Sequence, residues 1–233
     1  AGTGDLMRQR LALDPRHTAL LLVDLQEEQR DDPLYAVEGF AAVLANARAL
    51  LNAARARNLT IVHAAYRRDF DAVPPRPLEY LSAGGRPAFS EKNSPGTAIC
   101  SEVSAHGTEA IIYKNDASVF CEGDFRPLLR RGDIRWLIVC GVWTEACVAA
   151  TVRDAIAEGI RVLLVKDACG SGTKAMHQIG ILNLANRLAG GAVASTASAC
   201  ALISGEEVEV WIAERPVPIL FSYENAEKFY ETL

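Results

Sequence analysis

Short apolar runs alternate with amphipathic segments along most of the chain. The runs have the length of strands and lie at 18–25, 59–66, 109–114, 135–142, 160–168 and 192–196. Segments 36–58, 147–158 and about 175–189 repeat apolar residues at the spacing of a helix. Strand and helix in alternation predict an α/β fold, here a three-layer αβα domain around a mostly parallel, six-stranded, doubly wound sheet.

Two segments depart from this alternation. Residues 67–97 are rich in proline, glycine and charge and are too long for a simple connection, so we predict a lid-like insertion there. Residues 206–233 add another apolar run and a short amphipathic helix as a C-terminal extension. This extension either packs along its own domain or crosses to a neighbouring subunit. No linker divides the chain, and we predict one domain over residues 1–233.

Composition and charge narrow the class of protein. A chain of 233 residues with a net charge of −5 gives no reason to expect nucleic acid or an anionic membrane as partner. No apolar run reaches the ~18 residues of a membrane span, and the first residues lack the apolar core of a signal peptide. The six cysteines form no C-x-x-C pair, which favours a reducing, cytoplasmic setting.

Three reactive side chains follow three different predicted strands. Asp24 comes near the end of the first strand, Lys114 ends the third, and Cys147 begins the helix after the fourth. Sites in parallel α/β sheets lie beyond the carboxyl ends of the strands, so these side chains are expected to meet.

The chemistry of such a group is acyl transfer by a cysteine without a histidine. A helix amino terminus and a neighbouring lysine both favour the thiolate of Cys147. Asp24 can accept the thiol proton, and backbone N–H groups of Cys147 and the preceding turn can hold an oxyanion. Each residue also has a structural interpretation: a buried thiol, a capping carboxylate and a solvated lysine. From the residues alone, the two interpretations are balanced.

Three segments, in order, carry a resemblance to a known family. "ALLLVDLQEEQ" contains Asp24, "YKNDASVF" contains Lys114, and "VCGVWTEACVAATVRDA" contains Cys147. Over roughly residues 17 to 205 the chain resembles the isochorismatase-like cysteine hydrolases, which include N-carbamoylsarcosine amidases and ureide hydrolases. The resemblance implies a catalytic triad of Asp24, Lys114 and Cys147.

The same resemblance implies a reaction. It is metal-independent hydrolysis of a C–N bond in a small amide, ureide or carbamoyl compound, through a thioester on Cys147. The N–H groups of Trp143 and Cys147 would form the oxyanion hole, after a cis peptide bond between Val142 and Trp143. Family members are commonly oligomers, so a homo-oligomer, either dimer or tetramer, is expected.

Departures from the family pattern limit the substrate. No D-x-H spacing follows the second strand, and His63 lies inside that strand, so we predict no metal and no cofactor and disfavour a nicotinamidase. Two alternatives remain: vinyl-ether hydrolysis of the isochorismatase type, and an inactive binding scaffold. Candidate substrate contacts are Tyr66 and Phe120 as lining, and Arg67 or Arg86 as a clamp for a carboxylate.

Overall fold

The computed structural model describes residues 7–233, and eight strands in this range form one sheet. Their order across the sheet is β1-β8-β7-β6-β5-β2-β3-β4. The strands are β1 (Arg8–Leu11), β2 (Thr18–Val23), β3 (Thr60–Tyr66), β4 (Ala110–Lys114), β5 (Trp136–Val142), β6 (Arg161–Gly170), β7 (Ala192–Ala194) and β8 (Val208–Trp211).

Helices cover both faces of the sheet. They are α1 (Phe40–Ala56), α2 (Phe125–Arg131), α3 (Ala149–Ala157), α4 (Lys174–Ala185), α5 (Thr196–Ser204) and α6 (Ala226–Thr232). Helices α1 and α5 bury their apolar side chains in one core, and α2, α3, α4 and α6 contribute to the other. Successive residues of β2 alternate between the two cores, Leu20 on one face and Leu21 on the opposite face, as a strand buried on both sides requires.

The predicted α/β architecture is confirmed, with one correction to the strand count. Six neighbouring strands, from β4 to β7 in the sheet order, are parallel. Beyond β7, β8 pairs antiparallel with β7, and β1 pairs antiparallel with β8. Strand β1 is four residues long and mostly exposed, so it has no apolar run that a sequence pattern could detect. None of the helices within residues 7–233 has the length and apolar character that crossing a membrane requires.

The chain reverses its direction of travel across the sheet between β2 and β5. From β2 it adds β3 and β4 on one side, and it then returns to place β5, β6 and β7 on the other. Connections leave adjacent strand ends in opposite directions at such a switch point, which opens a crevice beyond their carboxyl ends. Asp24 directly follows β2 and the turn containing Cys147 directly follows β5, so both lie at this crevice.

The two segments outside the alternation are held by polar contacts and by packing. In residues 67–97, Arg68 pairs with Glu79 at 2.5 Å and Lys92 pairs with Asp69 at 2.6 Å. At the other end of the chain, α6 packs against α4, and Lys166 Nζ donates to the backbone oxygen of Tyr230 at 2.8 Å.

Gly141 is the penultimate residue of β5 and allows β5 to approach β2 closely. Its φ is +125°, and a Cβ built on it would lie 2.0 Å from the backbone oxygen of Val23. We expect Gly141→Ala to lower the free energy of unfolding by about 3 kcal/mol or more, because backbone of a central strand must move. Urea denaturation followed by circular dichroism measures the change.

Gly159→Ala provides the matched control. Gly159 also has a positive φ, of +76°, but nothing lies within 4 Å of the added Cβ. Gly159→Ala therefore measures only the cost of placing alanine at a positive φ, about 1 kcal/mol. Equal losses in the two variants would show that the contact with Val23 is not what demands glycine at position 141.

Candidate active site

A buried ion pair joins two of the predicted catalytic residues. Lys114 is fully buried, and its Nζ lies 2.8 Å from Oδ2 of Asp24, which is 3% exposed. The same Nζ donates to the backbone oxygen of Asp116 at 3.2 Å. The residues are 90 positions apart in the chain, and the parallel strands bring them together.

The backbone at Asp24 turns sharply to present this carboxylate. Its φ is +52°, in the left-handed region that a non-glycine residue rarely adopts, and its N–H donates to Ala64 of β3 at 2.9 Å. On the other strand, Lys114 Nζ lies 4.9 Å from the centre of the Tyr66 ring, at the end of β3. Both ionic groups are thus fixed by the ends of β2, β3 and β4.

The ion pair keeps the lysine charged. Burial by itself lowers the pKa of Lys114, but the charges and hydrogen bonds of Asp24 and Cys147 together more than offset this effect, and the net pKa is raised above the usual value. Asp24 uses only one oxygen in this pair. Within residues 7–233 no hydrogen-bond donor reaches its other oxygen, Oδ1, which is buried. A buried carboxylate oxygen without a donor is available to accept a proton.

Cys147 lies in a π-helical turn, Thr144–Val148, that leads into α3. The backbone N–H groups of Ala146 and Val148 both donate to the backbone oxygen of Trp143, at 3.1 and 3.2 Å. The α-helix begins only at Ala149, so the predicted helix start at Cys147 is wrong by two residues. A π-helical turn has no sequence signature of its own, and such turns are frequent at functional sites.

The protonation state of the thiol differs from the sequence-based expectation. Burial raises the pKa of Cys147 to about 12; the charge of Asp24 acts in the same direction and that of Lys114 opposes it. The direction of this shift favours the thiol in the resting protein, opposite to the direction expected from the helix terminus and the lysine. The effect of lysine was identified from the sequence, but the larger effect of burial was not.

A pocket of about 420 Å³ opens at Cys147 and Asp24. Its walls are mostly apolar and include four aromatic rings. The remaining lining residues, besides Cys147 and Asp24, are Glu28, Gln29, Leu34, Tyr35, Tyr66, Phe89, Ser90, Asp116, Ala117, Val142, Trp143 and Ala146. A wider depression of about 820 Å³ lies elsewhere, at the amino-terminal ends of β5 and β6, and contains neither Asp24 nor Cys147. We call the smaller one the active-site pocket.

The turn after β5 also matches the predicted geometry. The peptide bond between Val142 and Trp143 is cis, and Trp143 and Cys147 both line the active-site pocket. Trp143 Nε1 donates to Gln29 Oε1 at 2.7 Å, which fixes the indole against the segment after β2.

One of the four predicted substrate contacts lines the active-site pocket, and three do not. Tyr66 lines it. Phe120 is 1% exposed and packs edge-to-face on Phe125 in the core, because a short 3₁₀ turn directs it inward. Arg67 stacks on the exposed ring of Tyr113, 3.6 Å from its centre.

Arg86 is likewise placed outside the pocket, paired with Glu91 at 2.7 Å. Neither predicted arginine is thus among the residues that line the active-site pocket.

Other lining residues were missed. Glu28 follows Asp24 by four residues in the segment that carries the resemblance, which was a usable signal. Tyr35, Phe89 and Ser90 come from irregular segments, where no periodicity indicates the direction of a side chain. The rings of Tyr35, Phe89 and Tyr66 form one wall of the pocket. The ring centre of Phe89 lies 5.1 Å from that of Tyr35 and 5.6 Å from that of Tyr66.

A chain of hydrogen bonds supports the turn that carries Cys147. Thr144 Oγ1 donates to the backbone oxygen of Gly170 at 3.0 Å, so it accepts from His177 Nδ1 at 2.8 Å. His177 Nε2 then accepts from the hydroxyl of Tyr230 at 3.1 Å. This arrangement requires a neutral imidazole, and burial lowers the pKa of His177 to about 4.

His177 should make the protein sensitive to acid. Its pKa is about 4 in the folded protein and near 6.5 in the unfolded chain, so between these values only the unfolded chain binds the proton. The free energy of unfolding is expected to fall by about 2–3 kcal/mol as the pH drops from 6.5 to 4. Urea denaturation across this range, for the wild type and His177→Gln, tests this: the variant should lose that part of the slope.

Exposed His106 provides the control for this measurement. His106→Gln removes an imidazole without touching the Thr144 chain. If it flattens the slope as much as His177→Gln does, the proton uptake does not belong to His177.

One group of potential metal ligands lies outside the active-site pocket. Glu27, Cys100 and Glu102 offer ligand atoms within 4.8 Å of one another in the part of the chain that the structure describes. The guanidinium of Arg30 bonds both carboxylates, at 2.5 Å and 2.6 Å, and offsets one of their two negative charges. His63 is 1% exposed and bonds Glu109 at 3.0 Å, so it is a core histidine as predicted.

Comparisons with known proteins identify the family. The Isochorismatase domain matches residues 18–198. Maleamate amidohydrolase of Pseudomonas putida is 26% identical over 178 residues, covering 72% of this chain and 79% of that protein. Streptothricin hydrolase of Streptomyces noursei is 30% identical over 203 residues, covering 87% of this chain and 64% of that protein.

A solved structure agrees in fold. A cysteine hydrolase from Pseudomonas syringae superposes with a TM-score of 0.74 at 22% identity, covering 83% of this chain and 95% of that one. With the domain match over most of the chain, these similarities lead to one assignment. The chain belongs to the isochorismatase family.

Proposed function

We propose that this hydrolase cleaves a C–N bond of a small amide, ureide or carbamoyl compound, through a thioester on Cys147. The observation that carries the proposal is the buried Asp24–Lys114 ion pair at the pocket that Cys147 lines, with no hydrogen-bond partner for Oδ1 of Asp24 among residues 7–233. A proton acceptor and a fixed positive charge beside a thiol are what covalent catalysis by cysteine requires.

In the first half-reaction, Asp24 Oδ1 takes the proton of the Cys147 thiol as Sγ attacks the carbonyl carbon. The C=O bond becomes a C–O⁻ single bond, and the N–H groups of Trp143 and Cys147 are proposed to stabilise this oxyanion. As the tetrahedral intermediate collapses, the C–N bond breaks and Asp24 returns the proton to the leaving nitrogen. Ammonia or an amine departs, and the acyl group remains on sulfur.

In the second half-reaction, water replaces the amine. Asp24 accepts a proton from this water as its oxygen adds to the thioester carbon. Collapse then breaks the C–S bond, the proton returns to Sγ, and the carboxylic acid leaves. Lys114 remains protonated throughout and stabilises the negative charge that passes between Asp24 and Cys147.

The residues at the site also bear on metal use. The pocket lining within residues 7–233 has carboxylates and one thiol but no histidine, and Lys114 occupies the position beside Asp24 where a cation would bind. We therefore propose a reaction without a metal. Two of the relatives, which act on maleamate and streptothricin by name, support amide or related hydrolysis over cleavage of a vinyl ether.

The test is release of ammonia or amine by the purified protein across small amides, ureides and carbamoyl compounds, with and without EDTA. We expect at least one compound to be hydrolysed at a rate that EDTA does not change. Activity that EDTA abolishes would contradict the metal-independent mechanism. Hydrolysis of a vinyl ether such as isochorismate, with no amide cleaved, would contradict the reaction class.

A further inference from the structure

The active-site pocket contains one carboxyl group that has no cationic partner within residues 7–233. Three carboxylates line it: Asp24, Glu28 and Asp116. Asp24 pairs with Lys114 at 2.8 Å, and Asp116 pairs with Arg76 at 3.1 Å. Within residues 7–233 no arginine, lysine or histidine lies within ion-pair distance of Glu28. Among the described residues, Ser90 Oγ alone forms a side-chain hydrogen bond with Glu28, at 2.5 Å to Oε1.

The basic residues near the pocket are committed elsewhere. Arg68 pairs with Glu79, Arg86 with Glu91 and Lys92 with Asp69, while Arg67 stacks on Tyr113. No basic side chain is among the residues that line the pocket in the described range. A substrate carboxylate would therefore meet uncompensated negative charge, and a positively charged group would meet a partner.

The wall beside Glu28 is suited to an organic cation. Tyr35, Phe89 and Tyr66 form a continuous aromatic surface. The ring centres of Tyr35 and Phe89 are 5.1 Å apart, and those of Phe89 and Tyr66 are 5.6 Å apart. The negative faces of aromatic rings attract ammonium groups, most strongly where water is displaced. An acidic group next to several aromatic rings is a common arrangement in sites that bind amines, since it supplies both charge and apolar contact.

The titration of Glu28 agrees with this geometry. Burial raises the pKa of its carboxyl, and although the Ser90 hydrogen bond opposes the change, repulsion from Asp24 and Asp32 adds to it. An anion held in such surroundings is stabilised by a bound cation.

We infer that the substrate carries a protonated amine at the end away from the scissile C–N bond, paired with Glu28 and packed on Tyr35 and Phe89. The expected effect on hydrolysis rests on the proposed function, whereas the binding of a cation at Glu28 does not depend on it. It predicts that charge at the remote end of an amide, rather than its length or bulk, decides the rate.

Binding is measured first, because it does not depend on the chemistry. Isothermal titration calorimetry of the wild type compares n-pentylammonium, n-pentanol and pentanoate, which share one chain length and differ in charge. We expect the ammonium to bind roughly tenfold or more tightly than the alcohol, and the carboxylate to bind least. Tighter binding of pentanoate, equal binding of all three, or no binding of pentylammonium would overturn the inference.

Two variants locate the charge. Glu28→Gln keeps the shape and the bond to Ser90 but removes the charge, so the preference for ammonium over alcohol should fall to within about twofold. Asp31→Asn removes one negative charge from the neighbouring exposed surface and should retain the preference. Equal losses in both would mean that the general field of the protein, not Glu28, selects the cation.

Hydrolysis then connects the subsite to the reaction. δ-Aminovaleramide, hexanamide and adipamate present the same amide with a cationic, neutral and anionic remote end. The ratio of kcat/KM for δ-aminovaleramide over hexanamide should be about tenfold or more, and Glu28→Gln should lower it. Cation binding without cleavage of any amide would contradict the proposed function alone, whereas faster cleavage of adipamate would contradict the subsite alone.

Discussion

Cys147→Ser is expected to lower kcat for C–N hydrolysis by about 10⁴-fold or more, with little change in KM. Serine retains the size of the side chain, but its hydroxyl is a far weaker nucleophile, and the pocket lining within residues 7–233 has no histidine to activate it. Asp24 alone must then remove a proton from an alcohol, which it does much less readily than from a thiol. Steady-state ammonia release measures the loss.

Cys121→Ser is the matched control, because Cys121 is a free and exposed cysteine outside the pocket. It should retain wild-type kcat. Intact-mass measurement of rapidly quenched reactions adds an independent readout: the wild type should gain the mass of the acyl group, and Cys147→Ser should not. Hydrolysis by Cys147→Ser within tenfold of the wild type would remove the thioester from the mechanism.

Asp24→Asn is expected to produce two opposite effects. Hydrolysis should fall by about 10³-fold or more, since no group remains to accept and return the proton. Alkylation of Cys147 by iodoacetamide at neutral pH should instead become faster. The charge of Asp24 contributes to the raised pKa of this thiol, and the buried ammonium of Lys114 then lacks its carboxylate partner and favours the thiolate in its place.

Asp116→Asn is the control for this substitution, because it removes the same charge from the same pocket and keeps the backbone oxygen of Asp116 that accepts from Lys114; the Asp116 side chain pairs with Arg76 instead. Peptide mapping assigns the alkylated residue, and thermal unfolding shows that each variant is folded at the assay temperature. Slower alkylation in Asp24→Asn than in the wild type would show that Asp24 promotes the thiolate in the resting protein, contrary to the thiol described here.

The sequence predicts the positions of the catalytic side chains better than it predicts their environment. Asp24, Lys114 and Cys147 each follow a strongly apolar run, and the ends of parallel strands meet at one edge, so their placement followed from pattern alone. The degree of burial did not, and burial determines the protonation of Cys147. It depends on how segments far apart in the sequence pack around the thiol, which no local pattern encodes.

The residues that line the rest of the pocket were the least predictable. Phe89 and Ser90 lie in residues 67–97, where ion pairs such as Arg68–Glu79 fix the backbone instead of regular hydrogen-bond ladders. Arg67 and Arg86 were candidates because arginine binds carboxylates, yet each finds a partner close to it in sequence or space. Such competition between partners is invisible in a linear pattern.

The strand order has a consequence for how the enzyme acquires activity during folding. Strands β2, β3 and β4 follow one another along the chain and can pair early, which assembles Asp24 with Lys114. Cys147 joins them only when β5 pairs with β2, which matches Thr18 to Trp136 across a long stretch of chain that contains α1, β3, β4 and α2. Because such non-local closure is slow, secondary structure should recover before catalysis after dilution from denaturant. The rate at which activity returns would then measure how fast β5 pairs with β2 to complete the central sheet.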